Sequence, residues 1–425
     1  MNFIKTLLKY EKDDSLIRDG IILFTATMIG NFASFLYHFG MGRFLGPVEY
    51  GALGAILSIF YFILVPFNVI QTTISKFVAK FKAENEEKKI NYLFYKSIKK
   101  LFIIGIISTI IFLILSPIIA DFVKIKTINM IILAIIIPFA LLLPINRGVF
   151  QGLQTFKKLG ANIIIETTAK LAVGFMLVLI GYRLIGAVIG LVAAYVIPFI
   201  ISIIQLKKYY SKYQQDIKQK EIYKYSIPVL ITLLSLTAFY SVDVIIIKHY
   251  MSETDAGYYA ATAILGRIVF FATLAISMVM FPKVAEMDAM KKPNKHILNK
   301  ALALVAIVGL GITLGYFLLP KLVVLLLFGK DFLPITKYIT AFAFLMSFFS
   351  LIYLTAMYNL SINRTKFIYI LLVFNIIEII ALAIMHNSIA QAITIMTIIM
   401  VLMFIILLLY TYKNAKTINS NTRVQ

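Results

Sequence analysis

The segment GRFLGPVEYGALGAILSI (residues 42–59) is the most informative part of the sequence, because a related pattern, KHYMSETDAGYYAATAIL (residues 248–265), occurs 206 residues further on. Tyr50-Gly51 falls opposite Ala256-Gly257, each at the beginning of a long apolar run. Four more pairs share an offset of 206 or 207: Asp19–Ile21 with Tyr225–Ile227, Phe122–Lys124 with Phe328–Lys330, Lys76 with Lys283, and Phe150 with Met357. Recurrence at one offset predicts an internal duplication with halves 1–210 and 211–425, joined by a basic linker at about 206–224.

Composition excludes a soluble protein. Of the 425 residues, 61% are hydrophobic and 14% are charged, whereas soluble domains have about 45–50% apolar and about 25% charged residues. No cysteine is present, so disulfides, thiolate metal sites and cysteine nucleophiles are ruled out. A net charge of +22 suggests a nucleic-acid partner, but the lysines cluster between apolar runs. We therefore predict a multi-spanning membrane protein without a nucleic-acid partner.

The apolar runs are long enough for transmembrane helices, which need about 20 residues each. We predict twelve spans, at residues 18–38, 50–73, 99–120, 127–146, 159–180, 185–205, 224–246, 258–281, 299–320, 334–356, 366–385 and 389–411. The runs are continuous rather than alternating, which is typical of helices and not of barrel strands.

Orientation follows from the lysines and arginines. Loops on the side of the N-terminus hold 31 of the 41, the opposite loops hold 8, and Lys170 and Arg267 lie inside spans. Because basic loops stay in the cytoplasm, we predict a cell-membrane protein with both termini cytoplasmic. Six spans in each half make the two halves parallel repeats, a transporter design in which substrate is expected between them near the middle of the membrane.

One motif carries a resemblance to a known family. Leu45-Gly46-Pro47-Val48-Glu49-Tyr50-Gly51 resembles a signature of the polysaccharide-biosynthesis flippases in the multidrug/oligosaccharidyl-lipid/polysaccharide exporter superfamily. Gln151–Gln154, Phe281–Lys283 and Phe328–Phe332 add to it. The resemblance implies an all-α membrane fold of twelve or more helices in two V-shaped bundles, moving lipid-linked sugars by alternating access. The motif itself reads as structural: Gly46-Pro47 turns the chain, and Gly51 and Gly54 let two helices approach closely.

Ionisable residues inside spans are the candidate functional residues. Arg267 is foremost, as a substrate contact or as half of a structural pair. Lys170 is one turn from Glu166 and can be neutralised by it. Asp243 is read either as a proton or Na⁺ site or as a partner of Arg43 or Lys248, and Glu378 has no partner in its own helix. We assign Arg267, Lys170, Arg43 and Asn31 to the substrate, and Asp243, Glu378 and Glu166 to ion coupling.

Two basic residues inside spans favour an anionic head group, such as a lipid phosphate or diphosphate. We therefore predict a monomeric flippase for a lipid-linked oligosaccharide, in contact with membrane lipid and coupled to H⁺ or Na⁺. The alternatives are a cation antiporter for drugs, which would need an acidic or aromatic cavity, and a membrane glycosyltransferase. The extramembrane segments are too short for a catalytic domain, no nucleotide-binding loop occurs, and the four histidines lack ligand spacing. We expect no cofactor, no metal and no enzymatic activity.

Overall fold

The computed structural model describes residues 14–209 and 219–421, so part of the basic linker, 210–218, lies outside the described residues. The helices are α1 (Asp14–Ala83), α2 (Glu87–Phe122), α3 (Thr127–Ala134), α4 (Ile136–Gly152), α5 (Phe156–Leu177), α6 (Arg183–Gln205), α7 (Gln219–Ala238), α8 (Val242–Tyr250), α9 (Glu253–Ala289), α10 (Lys295–Leu318), α11 (Pro320–Leu327), α12 (Ile339–Ser361), α13 (Ile368–Ile384) and α14 (Ile389–Asn421). A π-helical turn (Val178–Tyr182) joins α5 to α6, and 3₁₀ turns occupy Lys207–Tyr209 and Lys330–Lys337.

The predicted apolar runs are all helical, with ends displaced by a few residues. Within the described ranges, nine helices are long and apolar enough to cross a membrane, and Ile368–Ile384 is a shorter apolar helix. Two of the nine, Thr25–Ala83 and Phe156–Gln205, each contain two predicted spans. The tenth predicted run begins late, because 3₁₀ turns occupy Lys330–Lys337 and the helix begins at Ile339.

A break at Gly46 divides α1 into two consecutive spans. Gly46 has φ +72°, a left-handed conformation that a side chain makes unfavourable. A Cβ atom there would have no neighbour within 4 Å, so the backbone angle and not a lack of space requires glycine. Pro47 follows with its fixed φ and no amide proton, which suits the first residue of a new helix. The predicted turn at Gly46-Pro47 is confirmed.

The chain forms two compact units. The first comprises described residues up to His38, Pro66–Pro117 and, within its described part, Ile128–Tyr223. The second comprises Phe39–Val65, Ile118–Thr127 and the described residues from Lys224 onwards. These units are defined by contacts, while the predicted halves are defined by sequence, and the division at residue 210 stays a prediction.

Within the second unit, residues of α1 pack against their own counterparts in α9. A Cβ atom on Gly51 would lie 2.7 Å from the backbone nitrogen of Gly257, and one on Gly54 would lie 2.6 Å from the Cβ of Ala260. Both pairs are 206 residues apart, the offset of the predicted duplication. Contacts between equivalent residues of two repeats are typical of two-fold symmetry. The two glycines are therefore required by the close approach of two helix backbones.

The motif residues Tyr50 and Phe328–Phe332 also meet in the second unit. The Tyr50 ring packs edge-on against Phe328 at 5.3 Å and Phe332 at 5.9 Å between ring centroids. Tyr50, Phe328 and Phe332 are all buried. This aromatic cluster gives the motif the structural role that its sequence indicates.

The first unit is organised around a phenylalanine-rich core. Phe77, Phe81 and Phe94 are buried there together with Phe150 of α4. By contrast, only 11% of the most apolar stretch of α2 is buried. Its exposed side chains are mainly isoleucines, which is typical of a helix surface that contacts lipid.

Candidate substrate and ion sites

Arg267 lies in the middle of α9 and is 4% exposed. Its Nη2 donates a hydrogen bond to the backbone oxygen of Tyr240 in the turn between α7 and α8. Its guanidinium carbon is 5.5 Å from the centroid of the Tyr61 ring and 5.4 Å from that of Tyr240. Tyr61 is the residue 206 positions before Arg267, so this contact too joins two counterparts of the repeat.

The charge of Arg267 is not neutralised by a carboxylate. Its Nε is buried without a hydrogen-bond partner, and no acidic group of the described chain lies within ion-pair distance of it. The structural pair that the sequence allowed is therefore not formed among the described residues. The guanidinium is thus held against two aromatic rings and keeps one N–H without an acceptor among the described residues.

Asp243 lies in the first turn of α8 and is 1% exposed. Its Oδ2 accepts a hydrogen bond of 2.9 Å from the hydroxyl of Tyr259, while Oδ1 is buried and has no donor among the described residues. The pairing with Arg43 or Lys248 that the sequence left open is wrong, because neither residue forms an ion pair with Asp243. Arg267 acts on Asp243 electrostatically from beyond ion-pair distance.

Glu378 in α13 is also 1% exposed, and its buried Oε1 receives no hydrogen bond from the part of the chain that the structure describes. It interacts electrostatically with Asp243, so the two buried carboxylates repel one another when both are ionised. Asn375, one turn earlier, donates to the backbone oxygen of Ser235 at 3.2 Å and leaves its Oδ1 without a donor. Among residues 219–421, the second unit thus buries three acceptor oxygens that lack a donor within the described chain, one each on Asp243, Glu378 and Asn375.

Lys170 in α5 occupies a separate site in the first unit. Its Nζ donates to the hydroxyl of Ser34 at 2.9 Å and lies 5.0 Å from the centroid of the Tyr37 ring. Tyr37 is fixed in turn, because its hydroxyl donates to the backbone oxygen of Ala187 at 2.8 Å. Lys170 is partly exposed as a residue, and its ammonium group is engaged by Ser34 and Tyr37.

Glu166 has a different partner from the one that its sequence spacing suggests. Its Oε2 forms an ion pair of 2.6 Å with Nη2 of Arg147, not with Lys170. Arg147 Nε also donates to Oδ1 of Asn162 at 2.7 Å, and its guanidinium lies 5.4 Å from the Phe67 ring centroid. Lys170 acts on Glu166 only as a more distant charge.

Sequence reasoning missed Arg147 as a buried charge, because it was assigned to a cytoplasmic loop at 147–158. The structure places it inside α4, 5% exposed. The sequence does contain a sign that Arg147 is buried, because the apolar run continues beyond it through Gly148, Val149 and Phe150.

The remaining two substrate candidates, Arg43 and Asn31, are both exposed. The Nη2 of Arg43 donates to the backbone oxygens of Leu325, at 3.2 Å, and Leu326 at the end of α11. A cation at a helix C-terminus satisfies carbonyl groups that lack helical partners. Asn31 lies three residues before Ser34 in α1, which puts it on the helix face that contacts Lys170.

These sites define a class of protein. An all-helical membrane bundle with ionisable side chains buried inside its spans is typical of a transporter. Solved transporters share the fold. A multidrug resistance transporter of the MATE family and MOP superfamily, in an inward-facing conformation, matches with a TM-score of 0.76 and 12% identity, over 94% of this chain and 99% of that chain. The lipid II flippase MurJ in an inward closed conformation matches with a TM-score of 0.72 and 18% identity, over 93% of this chain and 87% of that chain.

The chain belongs to the polysaccharide biosynthesis protein family, whose model matches residues 41–337. An uncharacterized membrane protein of Methanocaldococcus jannaschii is 24% identical over 422 residues, covering 92% of this chain and 98% of that protein. The predicted all-α fold and the predicted family are thereby confirmed.

Proposed function

We propose that this protein is a flippase that moves a lipid-linked oligosaccharide precursor across the cell membrane by alternating access. Membership in a polysaccharide biosynthesis family supports a glycan substrate. The shared fold of a lipid II flippase supports a lipid-linked one. The proposal includes a monomeric protein with cytoplasmic termini, in contact with membrane lipid and without enzymatic activity.

The observation that carries the proposal is the buried charge of Arg267. An arginine inside a span costs about 2.5–3.5 kcal/mol on insertion scales, and in the described chain no carboxylate pairs with it. A phosphate or diphosphate group matches its free N–H and neutralises its charge. Tyr61 and Tyr240, whose rings flank the guanidinium, restrict its position. We assign Arg267 to the phosphate part of the substrate.

Lys170 and its surroundings supply a second polar surface, in the first unit. Lys170, Ser34 and the nearby Asn31 combine a cation with a hydroxyl and an amide. Such groups hydrogen-bond to phosphate and to sugar hydroxyls. Glu166 holds Arg147 in place beside them, so we assign it a positioning role in addition to the ion-coupling role predicted from sequence.

Coupling to H⁺ or Na⁺ is assigned to Asp243 and Glu378. Two buried carboxylates that repel one another bind a proton or a cation readily, because either relieves the repulsion. Oxygen ligands are also what hard cations prefer, and Asn375 adds a third oxygen. The oxygen atoms of these three side chains are suitable ligands for a Na⁺ ion.

The test is transport by purified protein in lipid vesicles, with a lipid-diphosphate-linked oligosaccharide as the substrate. We expect Arg267→Ala to reduce translocation at least about tenfold, equivalent to about 1.4 kcal/mol, and Arg267→Glu to abolish it by repelling phosphate. Lys321→Ala, which removes an exposed cation from α11, is the matched control. Full activity of the glutamate variant would remove Arg267 from the substrate site.

A second function, cation-coupled export of drugs, is favoured by one observation. Asp243 and Glu378 supply two buried carboxyl groups, the type of group that would bind a hydrophobic cation. MATE-family transporters share the fold. Ethidium efflux that disappears in Glu378→Gln but persists in Arg267→Ala would select this function over the flippase.

A further inference from the structure

One end of the second unit carries a polar cavity of about 450 Å³. It forms where α8 ends and where α9, α12 and α14 begin. The charge distribution assigns this end to the outside, because the basic segment 283–300 lies at the opposite end of the helices. Nine residues line the cavity, among them Tyr250, Ser252, Asp255, Tyr338, His386 and Asn387.

A series of stacked rings fixes one wall of this cavity. Phe122 stacks on His249 at 4.0 Å with an interplanar angle of 5°. His249 meets Tyr250 edge-on at 4.6 Å, and Tyr250 stacks on His386 at 4.0 Å and 19°. The ring nitrogen Nδ1 of His249 also lies 2.6 Å from the backbone oxygen of Phe122. The wall is thus preorganised, which reduces the entropy lost when a ligand binds.

Hydrogen-bonding groups of several kinds surround this wall. Ser252 donates to Oδ2 of Asp255 at 2.7 Å, which orients the carboxylate and leaves Oδ1 available. The Asn387 side chain and the hydroxyls of Tyr250 and Tyr338 form no hydrogen bond with the described chain. Acceptors and donors therefore stand next to aromatic carbon in a space of the size of small-ligand sites, about 300–1,000 Å³.

We propose that this cavity is a binding site for a saccharide. A pyranose ring presents C–H groups on its faces, which pack on aromatic rings, and hydroxyls around its edge, which bind carboxylate and amide groups. A phosphate group is disfavoured, because the Asp255 carboxylate in the lining would repel it and the Lys337 ammonium beside the lining is engaged over the Tyr338 ring, 4.9 Å from its centroid. A lipid tail is disfavoured by the polar lining. A metal ion is disfavoured, because no group of three His, Asp or Glu suited to hold one occurs in the described chain.

This inference deepens the proposed function, since a flippase would bring the glycan of its substrate to this face. Only the source of the saccharide rests on the proposed function. The ability of the cavity to bind a saccharide depends on its lining residues and not on transport. Binding of free, unlipidated sugar can therefore be measured without transport, and the two proposals can fail separately.

The experiment is saturation-transfer difference NMR on the purified full-length protein, with cellobiose and N,N′-diacetylchitobiose as probes and mannitol as a non-cyclic control. We expect a dissociation constant of about 1–10 mM for at least one disaccharide, corresponding to weak but specific binding. Transfer should be strongest to ring C–H protons, which would contact Tyr250.

Two variants test the site. Asp255→Asn keeps an acceptor for Ser252 but removes the charge, and Tyr250→Phe keeps the stacked wall but removes the hydroxyl. Each should weaken binding at least about threefold, and Tyr250→Ala about tenfold or more. Asp331→Asn and Tyr182→Ala change exposed residues that do not line the cavity and should leave binding unchanged.

Three outcomes would overturn the proposal: no binding of either disaccharide, binding no stronger than that of mannitol, or binding unaffected by the Asp255 and Tyr250 variants. Disaccharide binding that is lost in Arg267→Ala and retained in Tyr250→Phe would place the saccharide elsewhere. Loss of transport in Arg267→Ala with intact binding at this cavity would support both proposals independently.

Discussion

The ion pair between Glu166 and Arg147 predicts that Glu166 is coupled more strongly to Arg147 than to Lys170. The sequence spacing alone predicts the opposite order. The spacing along the helix predicts that Glu166 forms its ion pair with Lys170. In the structure Glu166 forms its ion pair with Arg147, whose Nη2 lies 2.6 Å from Oε2 of Glu166. The perturbations are Glu166→Gln, Arg147→Met and Lys170→Met, alone and in the two double combinations with Glu166→Gln. These substitutions approximately preserve volume, so cavity effects stay small.

The expected magnitude follows from charge separation and burial. Charges about 4 Å apart attract by about 4 kcal/mol at an effective dielectric constant of about 20. Loss of hydration offsets part of this attraction, and Glu166 retains 20% side-chain exposure. We therefore expect a coupling energy between Glu166 and Arg147 of about 2 kcal/mol. The coupling to Lys170 should be below about 0.5 kcal/mol, the size of an exposed helix pair.

The assay is the free energy of unfolding in mixed micelles of dodecylmaltoside and sodium dodecyl sulfate, followed by circular dichroism. Arg147→Met should be the most destabilising single change, because it removes the ion pair and two hydrogen bonds to Asn162. The Glu166→Gln and Arg147→Met double variant should lose about 2 kcal/mol less than the sum of the single losses. A coupling to Lys170 equal to or larger than that to Arg147 would refute the assignment.

Three further predictions concern packing, topology and coupling. Gly257→Ala should destabilise the fold by about 1–3 kcal/mol, because its Cβ would clash with the backbone oxygen of Pro47. In the same assay Gly311→Ala should cause no loss, because no atom of the described residues lies within 4 Å of the added Cβ. Cysteine introduced at Glu86 should react with impermeant maleimide only from the cytoplasm and cysteine at Pro47 only from outside, and labelling of both from one side would contradict the topology. Glu378→Gln should remove the H⁺ or Na⁺ dependence of transport, and an unchanged ion dependence would exclude Glu378 from coupling.

Many features of this protein were determined by sequence alone, because they follow from local composition. Apolar runs of about 20 residues must be helical in lipid, where backbone groups can bond only within the helix. Their positions therefore followed from hydropathy without a structure. The break at Gly46-Pro47 was equally local, since glycine permits a positive φ and proline begins a helix. The family followed from a motif of seven residues and is confirmed by a model that matches residues 41–337.

The partners of the charged residues were decided only by the tertiary structure. Spacing within a helix placed Glu166 beside Lys170, but Arg147, on another helix, is nearer and is buried. The hydrogen-bond partners of Asp243 and Arg267 were likewise determined by packing. They are the Tyr259 hydroxyl and the backbone oxygen of Tyr240, and no sequence rule connects them to the two charged residues. Electrostatic and hydrogen-bonding interactions act over a few ångströms in space, whatever the separation along the chain. Hydropathy thus predicted which segments are helices, and packing alone determined which buried charges have no ion-pair partner among the described residues.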